Sequence, residues 1–161
     1  MKTTEYLEQR GIPYHVIPHK RTYDAQHMAQ SLHVSGRQVA KTVLVRADGG
    51  FKYVVLVLPA SEHVDLERVS RALGGAKIEL ATEPEIANLC PGCEFGVVPM
   101  FGSQFGMETL VDQSIACLDD IYFQGDTHDQ SISIRYEDFC RIELPLVASI
   151  VDRDAEAVLV T

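Results

Sequence analysis

The sequence has few of the residues that small proteins use as covalent or metal cross-links. Its 161 residues include no tryptophan and four cysteines. The cysteines are Cys90, Cys93, Cys117 and Cys140. Four thiols are too few for a disulfide scaffold, and we expect them to be reduced in the cytoplasm. The six histidines lack the spacing of a metal-binding motif, so we expect neither a metal nor a cofactor.

Long apolar runs are also missing. No stretch approaches the roughly 18 uninterrupted apolar residues of a membrane-spanning helix. The N-terminal residues lack the apolar core of a signal peptide. We therefore expect a cytoplasmic protein that does not enter a membrane. Neither a linker nor a repeat interrupts the chain, and its length predicts one domain over residues 1–161.

Basic residues are scarce, with 14 Lys and Arg against 23 Asp and Glu and a formal net charge of -9. This balance argues against a protein that coats DNA or RNA, because phosphate neutralisation needs clustered Lys and Arg. Residues 1–82 carry eleven basic and eight acidic side chains, whereas residues 83–161 carry three and fifteen. We therefore expect an anionic ligand to meet the N-terminal half, and any contact with RNA to be local and sensitive to salt.

Short strands interrupted by helices predict an α+β, or mixed α/β, domain with a curved, barrel-like sheet surrounded by helices. The strongest local signal is a β-hairpin of residues 41–46 and 53–58, whose second strand is apolar throughout and so buried on both faces. The other predicted helices cover 4–10, 24–32, 65–73, 82–90 and 136–140, and the other predicted strands 14–17, 78–80, 109–111, 121–123 and 131–134.

Cys90-Pro91-Gly92-Cys93 has the spacing of a zinc or disulfide-exchange motif. A zinc site needs a second pair of ligands, which the sequence does not supply. A thioredoxin-like site follows a strand, whereas this motif follows a predicted helix. We interpret the two thiols as structural and keep a thiol redox protein as one alternative function.

Three features predict a ligand pocket. Lys41 begins an apolar strand, where its ammonium can hold a phosphate or a ribose hydroxyl, although a lysine at a sheet edge also discourages aggregation. The apolar loop 96–102 is bounded by glycines and can present backbone N–H groups to developing negative charge, or it is a rigid connector. His128 lies in a polar turn between predicted strands, where both binding groups and plain surface residues occur.

The same segments resemble the YbaK / prolyl-tRNA synthetase-associated editing domain family over residues 4–146. After His19, the matching stretches are YDAQ at 23–26, VSGRQVAKTV at 34–43, VLPAS at 57–61, ELATE at 79–83 and PGCEFG at 91–96. The resemblance implies a single-domain, metal-independent hydrolase that removes amino acids from mischarged tRNA. Its expected substrate is Ala or Cys, or a related small amino acid, on tRNA(Pro). Its expected partners are the aminoacylated 3′ end of tRNA, bound in trans, and prolyl-tRNA synthetase.

The resemblance also implies roles for individual residues. Lys41 matches the family's essential lysine, which holds the terminal adenosine of the tRNA. Gly96 matches the glycine of a Gly-x-x-x-Pro loop that contacts the aminoacyl ester and positions the attacking water. His128 matches a histidine that orients the aminoacyl group. The further implied substrate contacts are His19, Tyr23, Val97, Val98, Pro99, Met100 and Thr127.

The sequence departs from the family pattern in two places. Met100 replaces the final proline of Gly-x-x-x-Pro, with Pro99 one position earlier. Asp126-Thr127-His128 replaces the usual Gly-Ser-His. Both changes lie at the amino-acid end of the implied pocket. The alternative function is therefore a non-catalytic module that binds an aminoacyl group, a nucleotide or a protein in the same pocket.

Overall fold

The structure is a computed structural model that describes residues 2–19, 27, 29, 32, 34–48, 52–91, 97–125 and 127–152. Its helices are α1 (Thr3–Gln9), α2 (Leu66–Ala72), α3 (Glu83–Leu89), α4 (Gln113–Ala116) and α5 (Tyr136–Glu143), with a 3-10 turn at Gly102–Phe105. Its strands are β1 (His15–Pro18), β2 (Ala40–Ala47), β3 (Lys52–Pro59), β4 (Ile78–Leu80), β5 (Glu108–Asp112), β6 (Asp120–Gln124), β7 (Gln130–Arg135) and β8 (Leu146–Ala148).

The mixed α/β architecture is confirmed, and most predicted elements form within a residue or two of their expected ends. The predicted helix 24–32 falls largely outside the described residues, although His27, Ala29 and Leu32 are helical. A short turn over residues 36–38 precedes β2. There the Ser35 N–H donates to Gln38 Oε1 at 3.3 Å, which is the capping interaction that the Ser-x-x-Gln pattern predicts.

The described strands form two sheets. The smaller has the order β1-β7-β6 and is antiparallel; the larger has the order β4-β2-β3-β5-β8 and is mixed. The predicted barrel-like sheet is therefore wrong for the part of the chain that the structure describes. β2 pairs with β4 over residues 45–47, and near its other end it meets β6 through an isolated parallel bridge between Val39 and Tyr122. Because this contact does not continue as a ladder, the sheets stay separate.

The β2–β3 hairpin forms the centre of the larger sheet, as predicted. Its antiparallel register runs from Ala40 opposite Pro59 to Ala47 opposite Lys52. β3 is buried on both faces, because Val55 and Val57 belong to the core shared with the smaller sheet, whereas Val54 and Leu56 belong to the cluster that contains Val69 of α2. Burial on both sides makes the hairpin a rigid support for the residues of β2.

Phe101 lies at the centre of the core between the sheets. Its side chain has no exposed surface, and its ring centroid lies 5.7 Å from that of Tyr6, 5.8 Å from Phe123 and 5.6 Å from Phe139. These tilted and edge-on contacts have the geometry that aromatic pairs prefer. Since Phe101 directly follows residues 97–100, the core holds one end of that loop.

Helix α3 is held against the larger sheet by the carboxylate of Glu85. Glu85 Oε1 accepts hydrogen bonds from the Thr82 N–H and from Arg46, each at 3.0 Å, and Oε2 accepts one from the Tyr53 hydroxyl at 2.5 Å. The Tyr53 hydrogen bond is the main cause that lowers the pKa of Glu85 to about 2, aided by the Thr82 N–H. Helix α3 precedes the loop 97–100 in the chain. The network therefore holds in place the helix from which the chain continues towards that loop.

Replacing Glu85 with Gln should lower the free energy of unfolding at neutral pH. The variant should then lose less of that free energy in acid than the wild type does. Because the folded-state pKa is lowered from 4.5 to about 2, the ionised carboxylate stabilises the fold above pH 4.5. That contribution disappears as the pH falls through this interval. In urea titrations, the difference between wild type and Glu85→Gln should be largest at pH 7 and should shrink towards pH 2. Glu83→Gln on the same helix is the control, and an equal difference at both pH values would contradict the assignment.

Candidate active site

Lys41 is the second residue of β2, lies opposite Leu58 of β3 and is half-buried. β4 pairs only with residues 45–47 at the other end of this strand. β2 and β6 run parallel where Val39 bridges Tyr122, and the Tyr122 N–H donates to the Gln38 carbonyl at 3.2 Å. Lys41 and Gln124 each lie two residues beyond this bridge, so both lie at the same end of the contact between the sheets.

The loop 97–100 passes close to the same part of β2. The Thr42 hydroxyl donates a hydrogen bond to the Val98 carbonyl at 2.8 Å. Val97 is 5% exposed and Met100 is 2% exposed, and Met100 belongs to the hydrophobic core cluster. The family departure at Met100 therefore changes a core-packing position. Gly96, which the sequence predicts as the loop's catalytic residue, lies outside the described residues.

His128 is buried, with 4% of its surface exposed, so the alternative of a plain surface residue is wrong. Its Nδ1 atom lies 2.8 Å from Gln124 Nε2, and the same amide nitrogen lies 3.4 Å from the Thr127 carbonyl. The amide NH₂ is thus the donor to both groups, which makes Nδ1 an acceptor. A neutral His128 then carries its proton on Nε2 and can act there as a hydrogen-bond donor.

The other predicted contacts are placed as follows. His19 follows β1. Its ring Nε2 shares a hydrogen bond with the Ser131 hydroxyl at 2.7 Å, and its backbone N–H donates to the Asp129 carbonyl at 3.0 Å. Thr127 is exposed, and its hydroxyl donates to the Asp129 carboxylate at 2.6 Å. Pro99 is buried beside Met100. Tyr23 lies outside the described residues. His19 and His128 are therefore both near the end of β6.

The smaller sheet has one apolar and one polar face. Its apolar residues, Ile121, Phe123, Ile132 and Ile134, lie in the hydrophobic core. Alternate residues on β6 and β7 point the other way; they are Tyr122, Gln124, Ser131 and Ser133. Ser131 has no exposed surface and Ser133 is 8% exposed. Buried hydroxyls require hydrogen-bond partners, and Ser131 has one in His19 Nε2 at 2.7 Å.

We refer to Lys41, the loop 97–100, Gln124, His128 and His19 as the junction site, because they lie where the two sheets meet. The sequence predicts all of these except Gln124. Ser131 and Thr42 were also missed as site residues. The alternating Ser-Ile-Ser-Ile pattern of β7 signals a polar face, but nothing in the sequence indicates which ligand group the face would meet.

Three cations of the described structure lie on β2 or on the turn before it: Arg37, Lys41 and Arg46. Arg46 donates to Glu79 at 3.2 Å and to Glu85 at 3.0 Å, so its guanidinium is held by the fold. Arg37 is exposed on the turn before β2. Among the described cations of β2 and its preceding turn, Lys41 and Arg37 are therefore the two that we expect a phosphate at the site to meet.

Neither a metal cluster nor a redox pair forms among the described residues. Within these residues, no group of three His, Cys, Asp or Glu side chains could hold a metal ion. No helix in the described part of the chain is long and apolar enough to cross a bilayer. Cys90 is 2% exposed and packs in the hydrophobic core, as the structural interpretation predicts, whereas Cys93 lies outside the described residues.

Comparisons with known proteins cover most of the chain. The sequence pattern of the aminoacyl-tRNA editing domain matches residues 19–142. The multifunctional Ser/Thr-tRNA deacylase ProXp-y of Escherichia coli K12 is 26% identical over 142 residues, which cover 86% of this chain and 84% of the relative.

Two solved structures show the same fold. A hypothetical protein superposes with a TM-score of 0.82 at 20% identity, over 92% of this chain and 98% of its own. A candidate trans-editing enzyme for prolyl tRNA synthetase superposes with a TM-score of 0.80 at 20% identity, over 92% of this chain and 94% of its own.

Proposed function

The chain belongs to the aminoacyl-tRNA editing domain family and is a hydrolase of aminoacyl-tRNA ester bonds, and from this premise we propose that it removes small amino acids from mischarged tRNA in trans. The observation that supports the proposal is the hydrogen bond that ties the loop 97–100 to β2 directly after Lys41, together with the burial of His128 against Gln124 of β6. These are the segments that the family resemblance assigns to the tRNA end, the ester and the aminoacyl group.

Each part of the junction site has a role in this proposal. The Lys41 ammonium holds a phosphate or a ribose hydroxyl of the terminal adenosine. Backbone N–H groups of the loop that begins at Gly96 donate to the ester oxygen as negative charge develops on it. His128 donates from Nε2 to the aminoacyl group and so orients it. Exposed Arg37 meets the phosphates of the acceptor end.

The reaction requires no side-chain nucleophile, because an aminoacyl ester is already activated. A positioned water attacks the carbonyl carbon and the bond to the ribose oxygen breaks. One proton of the water goes to the ribose oxygen and the other to solvent, which leaves the amino acid as a carboxylate. Holding water and ester in a reactive orientation removes much of the entropic barrier. Preorganised N–H donors then stabilise the tetrahedral oxyanion.

Two groups of small amino acids are candidate substrates. The family resemblance favours Ala or Cys on tRNA(Pro), with prolyl-tRNA synthetase as the partner. The relative from Escherichia coli is named for Ser and Thr. The match to that relative covers 86% of this chain, and a site that hydrogen-bonds a substrate hydroxyl would discriminate against an analogue without it. We therefore propose Ser or Thr as the preferred amino acid.

A panel of aminoacylated tRNAs tests this proposal. It contains tRNA(Pro) carrying Ala or Cys, tRNAs carrying misplaced Ser or Thr, and correctly charged prolyl-tRNA(Pro). We expect Ser or Thr to be released at least about tenfold faster than Ala, and Pro to stay attached. Faster release of Ala or Cys would contradict the hydroxyl preference. Binding of the tRNAs without release of any amino acid would favour the alternative, a non-catalytic binding module.

A further inference from the structure

Thr42 connects the two parts of the junction site that come from distant segments. Its hydroxyl donates to the Val98 carbonyl at 2.8 Å, although the two residues are 56 positions apart in the sequence. Thr42 lies opposite Val57, in the hairpin that is paired along its whole length. The hydrogen bond therefore ties a loop to one of the most rigid elements of the fold.

The peptide between Val98 and Pro99 can be held by hydrogen bonds only through its carbonyl. Pro99 has no N–H group, so the peptide that carries the Val98 carbonyl cannot donate a hydrogen bond. The side chains of Val97 and Pro99 on either side are buried, so packing restricts this peptide as well. The bond from Thr42 adds a directional constraint, because it fixes where the Val98 carbonyl points along β2.

Lys41 immediately precedes Thr42, and neighbouring side chains on a strand point to opposite faces. Lys41 lies on the same face as Val39, which packs with Tyr122, whereas Thr42 turns towards the loop. Two neighbouring residues of β2 thus have different expected roles. Lys41 holds the tRNA end, and Thr42 anchors the loop that contacts the ester. A shift of the loop along β2 would change its distance from Lys41.

We propose that Thr42 is a positioning residue, which sets the loop 97–100 relative to Lys41 through its hydrogen bond to the Val98 carbonyl. The proposal rests on the proposed deacylase function. A misplacement of about 1 Å costs on the order of 100-fold in rate when a reaction depends on alignment. Loss of the hydroxyl should therefore lower kcat more than it raises KM, since the groups that bind the tRNA end are unchanged.

The test compares Thr42→Val, which keeps the shape and removes the hydroxyl, with Thr42→Ser, which keeps the hydroxyl. For the best substrate of the panel, Thr42→Val should lower kcat by at least about tenfold with KM changed less than about threefold. Thr42→Ser should stay within about threefold of wild type. Amide hydrogen exchange of a peptide that covers residues 97–101 should be faster in Thr42→Val than in the other two proteins.

The two proposals fail in different ways. A wild type that releases no amino acid overturns the deacylase function. An active wild type whose kcat is unchanged in Thr42→Val, or is lowered equally in Thr42→Val and Thr42→Ser, overturns the positioning role. Unchanged hydrogen exchange at residues 97–101 in Thr42→Val overturns the anchoring of the loop, whatever the activity. Thermal unfolding midpoints of the wild type and the two variants are the control. Equal midpoints show that a change in kcat or hydrogen exchange does not come from a general loss of stability.

Discussion

Lys41→Ala should reduce kcat/KM for deacylation by about 100-fold or more and leave the fold intact. In the proposed function the Lys41 ammonium holds the tRNA end, whereas Arg46, the other described cation of β2, is paired with Glu79 and Glu85. Removing the Lys41 ammonium would leave the terminal adenosine without its main anchor, so the ester would no longer sit against the loop. Release of amino acid under single-turnover conditions measures the effect, with a thermal melt to confirm folding.

Lys52→Ala is the matched control for this variant. Lys52 begins the neighbouring strand β3, and its ammonium makes a surface ion pair with Glu108 at 2.7 Å. Exposed ion pairs contribute little to stability, so this variant should fold normally and retain wild-type activity. It removes one positive charge from the same sheet. The comparison therefore separates the effect of the charge at Lys41 from the effect of the protein's net charge. Full activity of Lys41→Ala, or an equal loss in Lys52→Ala, would contradict the role assigned to Lys41.

Phe101→Ala should lower the free energy of unfolding by about 3–5 kcal/mol. The ring has no exposed surface and contacts Tyr6, Phe123 and Phe139, which come from α1, β6 and α5. Its removal leaves a cavity among three elements that cannot all move inward together. Urea denaturation followed by circular dichroism measures the change.

Leu80→Ala is the control for the core substitution. Leu80 ends β4 and is 54% exposed, so its truncation should cost less than about 1 kcal/mol. A loss for Phe101→Ala no larger than that of the control would show that the contacts of Phe101 do not stabilise the core. In that case the core could not be the anchor of the loop 97–100.

The elements that the sequence predicts best are those whose signals are local. The β2–β3 hairpin follows from a β-branched run, a turn and a second apolar run. Helix α3 begins within one residue of its predicted start, and there Thr82 and Glu85 form both hydrogen bonds of a capping box. These patterns act within a few residues, so they do not depend on how the rest of the chain folds.

The sheet arrangement was harder to predict because it depends on distant pairings. β8 was missed; its residues Leu146 and Val147 are each 49% exposed, and the strand pairs in parallel with β5 alone in the described structure. The following turn is fixed by Asp112, a fully buried carboxylate that accepts the Ile150 N–H at 2.9 Å. The barrel-like expectation failed because sequence patterns indicate strands but not whether a ladder between β2 and β6 continues.

The candidate site was predictable only where a residue gives a local signal in the sequence. Lys41 and His128 stand out because a charged or polar residue occurs beside apolar strands. Gln124 and Thr42 do not stand out, because their importance lies in contacts with His128 and Val98 that only the tertiary structure creates. His19 and Ser131 are 112 residues apart and still share a hydrogen bond.

The chain itself is expected to catalyse hydrolysis of mischarged aminoacyl-tRNA. The most direct measurement is the release of amino acid by the wild-type protein with the panel of mischarged tRNAs in large molar excess over protein. We predict that at least one substrate releases many amino acids per protein molecule, well above the spontaneous rate in matched buffer. Release at the spontaneous rate from every substrate would contradict the claim, and so would release that stops at one amino acid per protein molecule.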